Sequence, residues 1–159
     1  MREMFKNNKV SPFLLKLMLG VYPPFFFSRV GIKEVSPDFM CIKVRVKRSL
    51  LNNNLSGTMF GGTLFSAADP FFALMYWQIF AHRYDQKVKV WLKSAEIKYK
   101  RPAMGDIFLE FNLTEEEVLQ AKTDLDTKGK HNQTHEVLLK NENGEICAIV
   151  HSVTYVGLP

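Results

Sequence analysis

Between Ser49 and Ala81 the chain carries a single charged side chain, Asp69. The run Gly57-Thr58-Met59-Phe60-Gly61-Gly62-Thr63-Leu64-Phe65-Ser66-Ala67-Ala68-Asp69-Pro70 leads into apolar residues that continue to Ala81. Beyond Gly62 the apolar residues fall on every face of a helix, the pattern of a helix buried on all sides. An ionised carboxylate there is costly unless it is paired, hydrogen-bonded or open to a wet cleft. Two readings of Asp69 stand side by side. It is a functional group in such a cleft, or it is the N-cap of a second helical segment whose first residue is Pro70. Pro70 also removes the donor that the Ser66 carbonyl needs, so a kink is expected in one long central helix reaching about His82.

The start of that helix has chemistry of its own. Gly61-Gly62 leaves the main chain bare, and the first N–H groups of a helix lack internal partners. Such amides can polarise a carbonyl or hold an oxyanion. Gly61 is expected in a tight turn with positive φ, where a side chain would block a ligand. The alternative is that Gly-Gly only permits close packing on a sheet.

At 159 residues the length fits a single domain over 1–159, with residues 1–24 as an N-terminal extension holding a short helix. The net charge of +5 suits phosphate-bearing ligands, but the basic residues are scattered and form no nucleic-acid platform. Cys41 and Cys147 read as free thiols in strands, and His82, His131, His135 and His151 match no metal-ligand spacing. Phe13 to Leu19 is interrupted by Lys16 and does not read as a signal peptide. Leu64 to Ala81 contains Asp69 and Pro70 and reads as a core helix, not a membrane span. A soluble, cytoplasmic protein is expected.

Residues 1–10 are polar and expected to be loose. Ser11-Pro12 opens a helix to about Leu19, closed by Gly20, and Pro23-Pro24 reads as an extended linker. Phe25 to Val35 and Met40 to Lys47 read as strands, the latter with Ile42, Val44 and Val46 on one face. After the central helix, Lys87 to Lys100 is a long strand whose apolar parity changes near Ser94, implying a bulge. Arg101 to Asp106 is a turn, and Ile107, Leu109 and Phe111 mark the next strand. Thr114-Glu115-Glu116-Glu117 is a capping box opening a short helix or turn to about Lys122. Asp124 to Gln133 reads as a polar loop. Thr134 to Lys140 and Glu145 to Val156 form a hairpin about Asn143-Gly144. An antiparallel sheet must therefore wrap the apolar helix, and a second subunit is a natural cover for what it leaves open.

The run Phe60-Gly61-Gly62 to Asp69 resembles the signature of hotdog-fold acyl-CoA thioesterases of the phenylacetate-pathway (PaaI-like) type. That family has Asn, then His-Gly-Gly, then an acid seven positions after the second Gly; the matching residues are Asn54, Gly61-Gly62 and Asp69. The Arg101-Pro102-Ala103 to Gly105-Asp106 turn is also similar. The likeness is nearer still to a branch with Phe-Gly-Gly and Asp-Pro-Phe, and it spans about Phe25 to Val156. It implies an α+β hotdog fold, a six-stranded antiparallel sheet around a central helix, assembled as a homodimer or dimer of dimers. It further implies an active site at the dimer interface. The Gly61 amide polarises the thioester carbonyl, Asp69 of the facing subunit is nucleophile or general base, and Asn54 is a positioning residue. Phe60 stands where the family has His and cannot donate a hydrogen bond.

The resemblance and the residues together make an acyl-CoA thioesterase the first reading, with no cofactor beyond the coenzyme A of the substrate. Met59, Phe60, Phe71, Phe72 and Met75 would form an apolar acyl pocket beside Gly62, or are plain core. Lys98, Lys100 and Arg101 would meet the nucleotide phosphates, or form a solvated strand end. The alternative from another class is an acyl-CoA- or lipid-binding hotdog protein without catalysis. A hotdog dehydratase lacks a His in the central motif.

Overall fold

The computed structural model describes residues 9–159. The order is α1 (Pro12–Val21), α2 (Pro23–Ser28), β1 (Val30–Val35), β2 (Cys41–Val46), α3 (Gly61–Ala68), α4 (Phe71–Tyr84), β3 (Lys89–Tyr99), β4 (Ile107–Asn112), α5 (Glu115–Lys128), β5 (Lys130–Lys140) and β6 (Ile146–Gly157). The strands form one six-stranded antiparallel sheet in the order β1-β2-β4-β5-β6-β3, leaving β1 and β3 as edges. Alternate residues of each inner strand are buried in the core: Ile42, Val44 and Val46 on β2, Ile107, Leu109 and Phe111 on β4, Val137 and Leu139 on β5, Ala148, Val150 and Val156 on β6. They meet Phe71, Phe72, Met75, Tyr76, Ile79 and Phe80, so the apolar helix is wrapped as the hotdog arrangement requires. The sheet is not uniformly laced. Between β4 and β5 the only paired residues are Phe108 and Lys140.

The central helix is two helices. Pro70 has no N–H for the Ser66 carbonyl, so α3 stops at Ala68 and α4 starts anew, with Leu74 N–H donating to Pro70 O at 2.9 Å. The N-cap of α4 is Pro70 and no side chain caps it, so Asp69 does not serve as that cap. The expected bulge is present: β3 shifts register against β6 between Leu92 and Ser94.

Several expected boundaries move. Gly20 does not end α1, which runs to Val21; Ser11 Oγ caps it by accepting from Leu14 N–H. Pro23-Pro24 is not an extended linker but the first turn of α2, where missing N–H groups have no helical partner to lose. The strand predicted from Phe25 consequently begins only at Val30. Of the stretch expected to be loose, residues 1–8 lie outside the described residues, whereas Val10 is buried and its N–H donates to Gln78 Oε1 at 2.8 Å. Helix α5 carries the predicted capping box but continues to Lys128, ending in Gly129 at φ 71°. Ion pairs Lys122–Asp126 and Lys128–Asp124 support the segment that reads as a loop. Cys41 is half-buried and Cys147 buried, both as free thiols.

Where α5 crosses β5, two histidines occupy inward positions. His131 Nδ1 lies 2.8 Å from Asp124 Oδ2, and His135 stacks on Phe72 with ring centroids 3.9 Å apart. Tyr76 Oη and both Nε2 atoms are buried without a partner among the described residues. Burial drives His135 down from its ordinary 6.5 to about 4, with Glu117 opposing and His131 adding to the shift. The unfolded chain thus binds this proton more tightly than the folded one. Stability from this group is intact above about 6.5 and falls as the pH drops towards 4. Thermal melts across that window should show the wild-type protein losing stability more steeply than His135→Leu. Equal slopes would assign the acid sensitivity to other groups.

Candidate functional site

Helix α3 begins in an unusual way. Its N-cap is Phe60, which has no side-chain oxygen to offer. The Gly61 and Gly62 amides donate to no described residue, while Thr63 and Leu64 turn back to Phe60 O. Bare N–H groups at a helix start carry partial positive charge. Gly61 lines a cleft of about 570 Å³ together with Asn54, Thr58, Met59, Leu64, Tyr99, Lys100 and Arg101. Sequence-predicted residues from two separate segments, 54–64 and 99–103, therefore meet in one concavity.

Each predicted residue has a definite place. Asn54 is committed to its own turn: Nδ2 donates to Thr58 Oγ1 at 2.8 Å, and Oδ1 accepts from the amides of Ser56 and Thr58. It shapes the wall of the cleft through that turn. Met59 is buried, and its N–H donates to Ala103 O at 2.9 Å. Phe60 is exposed and lies over Gly62, where an added Cβ would fall 2.3 Å from its ring. Lys100 reaches the cleft without a carboxylate partner among the described residues, whereas Arg101 is paired with Glu145. Lys98 does not line the cleft and sits 3.6 Å from Glu96. Phe71, Phe72 and Met75 do not line it either; they are core, as the packing alternative had it.

The reason for glycine at position 61 is also corrected. Positive φ occurs at Gly57, Gly129 and Gly144 but not at Gly61. The close neighbour is Tyr99, whose Oη donates to Gly61 O at 3.0 Å and would lie 2.8 Å from a Cβ, so a side chain at position 61 pushes the Tyr99 ring aside. Tyr99 is a member of the site that sequence reading passed over, since it appeared only as an apolar position on a strand.

Asp69 stands apart from this cleft. Eight residues along a helix from Gly61, it is displaced by about 12 Å along the axis. Its carboxylate makes no hydrogen bond or ion pair with a described residue. Although it reaches the surface, desolvation by its neighbours pushes its carboxyl above the ordinary carboxylate value. A partly desolvated, unpaired carboxylate is a competent proton acceptor in search of a substrate.

The loop that forms the cleft is fastened by residues that carry no motif. Arg48 donates to Met104 O and Gly57 O, each at 2.6 Å, spanning both lips. Asp106 accepts from Arg48 N–H at 2.8 Å and pairs with Arg45. Burial works against the charge on Asp106, but the Arg48 amide and the Arg45 guanidinium outweigh it and hold the carboxyl below its usual value. Asn52, nearly fully buried, donates to Ser28 O and Lys47 O and accepts from Ser49 N–H. Its carbonyl takes the Phe60 amide at 2.7 Å, fixing where α3 begins. Asp106→Ala should cost about 1–3 kcal/mol of stability, because it strands the Arg48 amide of the loop and the Arg45 guanidinium of β2. Urea unfolding of the two proteins measures this.

Among curated proteins no sequence match is found. Solved structures do share the architecture. A Pseudomonas aeruginosa protein of unknown function, described as a probable thioesterase, is 22% identical, with a TM-score of 0.82 over 94% of this chain and 98% of its own. A Haemophilus influenzae thioesterase is 12% identical, with a TM-score of 0.66 over 94% and 92%. The Escherichia coli PaaI protein from the phenylacetic acid degradation operon is 16% identical, with a TM-score of 0.61 over 87% of each chain. These likenesses establish the hotdog fold. A family profile matches residues 12–156, and on that match the chain belongs to the family described as a domain of unknown function, DUF4442.

Proposed function

We propose that this protein is an acyl-CoA thioesterase working at a site shared by two copies of the chain. The observation that carries the reading is the pair of unspent groups on one helix. The Gly61 amide is bare in a cleft and the Asp69 carboxylate is bare about 12 Å away, too far to act on the same carbonyl. A second copy running antiparallel would bring its own Asp69 to this Gly61. Edge strand β3, next to the cleft, supplies unpaired backbone for such an assembly, as a homodimer or a dimer of dimers.

In this reading the thioester carbonyl sits on the Gly61 N–H at the positive end of α3. Asp69 of the other copy takes a proton from water as the oxygen attacks the acyl carbon. The tetrahedral oxyanion rests on the amide, and its collapse expels the coenzyme A thiolate, which regains the proton. Lys100 and Arg101 lie where nucleotide phosphates would be met, and the fixed turn of Asn54 holds the wall opposite. A cytoplasmic location accords with coenzyme A as the thiol carrier. Phe60 in place of a histidine marks the Phe-Gly-Gly and Asp-Pro branch of the superfamily. It also favours the second reading, in which acyl-CoA is bound without hydrolysis.

Asp69→Asn separates the two readings. It is close to isosteric but cannot accept the proton, so hydrolysis over a series of acyl-CoA chain lengths should fall about a hundredfold or more. Acyl-CoA binding with no hydrolysis in either protein would install the second reading. Gly61→Val should displace Tyr99 and close the approach to the amide, abolishing turnover in a protein that still melts cooperatively. Sedimentation equilibrium at micromolar concentration should give a dimer or larger; a folded monomer would sink the shared site.

A further inference from the structure

Helices α1 and α2 form a short hairpin over β1 and over the side of α4 that the sheet does not reach. Two residues anchor it: Leu15 is 2% exposed, and Phe25, 4% exposed, stacks on Phe71 at 5.7 Å. The outer face is apolar as well. Phe13 is 77% exposed and Phe27 63%, with Leu17, Val21, Tyr22 and Phe26 also open to solvent. An apolar patch of this kind on a water-facing surface marks an interaction site. The charges of the segment itself have one sign. From residue 9 to residue 33 the cations are Lys9, Lys16, Arg29 and Lys33, and there is no acid. Lys9 is paired with Asp85 and Lys33 turns to the outer face of the sheet beside Glu110 and Glu136, but Arg29 has no carboxylate partner among the described residues. Lys16 donates to Lys33 O, which keeps its ammonium at the rim of the patch.

We propose that this hairpin docks on the surface of an anionic lipid bilayer. Bulky aromatic and aliphatic side chains flanked by lysine and arginine are the composition of elements that lie in the headgroup region. Cations beside such a face are drawn to anionic headgroups. A second copy seated on the same face would oppose like charges across a two-fold axis, which argues against self-association here. The hairpin packs on the β1 edge, at the other end of the sheet from β3. The docking is peripheral, since no helix among the described residues is long and apolar enough to cross a membrane. The inference stands whether or not the thioester reading does.

The test is flotation of the whole protein with vesicles of phosphatidylcholine and phosphatidylserine in equal parts, against vesicles of phosphatidylcholine alone. The protein should float with the anionic vesicles and be released by salt. Phe26→Ser with Phe27→Ser, and separately Lys16→Glu with Arg29→Glu, should each weaken binding about tenfold or more with unchanged melting. Absence of wild-type flotation, or binding equal in the wild type and both double variants, overturns the proposal. So does an oligomer that the Phe26→Ser, Phe27→Ser pair dissociates without altering flotation, because the occupant is then a second copy.

Discussion

Helix α4 has no polar face, and the rest of the molecule answers that constraint. Burial of each large apolar side chain contributes roughly 1.5–3 kcal/mol, so leaving any face of the helix in water forfeits several such contributions. A twisted sheet can curl around only part of a helix. The strands take the side of Phe72, Met75, Tyr76 and Ile79, the α1–α2 hairpin adds cover through Leu15 and Phe25, and Phe71 lies between Phe25 and Phe111. The hairpin can do so only because Pro23-Pro24 starts a helix instead of extending the chain.

The candidate site follows from a different economy of hydrogen bonds. Asn52, Arg48 and Asp106 satisfy the loop and turn around the cleft almost completely. Against that background the amides of Gly61 and Gly62 and the carboxylate of Asp69 stand out as groups the fold leaves unspent. The break at Pro70 keeps Asp69 at the outer end of α3, near solvent, rather than inside a continuous buried helix.

The sheet, its six strands and the bulge on β3 were legible in the sequence because period-two alternation survives wherever one face is buried. Asp69 and Gly61 could be named because an isolated charge and a Gly pair break an apolar pattern, whereas Asn54 was named through the family resemblance alone. The misses have physical causes. The second half of α5 continues the apolar stripe of Val118 and Ala121 with Leu125 alone, set among i,i+4 charge pairs that read as a polar loop. Tyr99 and Arg48 act through partners distant in sequence, Gly61 and Met104, which no local pattern encodes. Asp69 failed as a cap because Pro70 itself took that position.

The sparse lacing between β4 and β5 gives the sheet a seam. On one side lie β1, β2 and β4, on the other β5, β6 and β3, and only Phe108 and Lys140 pair across it. Each leaf of three strands holds its own ladder, so mechanical continuity between the leaves runs through the aromatic packing of α4: Phe111 against Phe71 and Phe72 on one side, His135 against Phe72 on the other. Phe72 is thus a pivot shared by both leaves. The cleft bridges this seam, with Tyr99 on one leaf and the loop tied by Asp106 and Asn52 to the other, so a change of curvature at the seam is felt as a change in the width of the cleft.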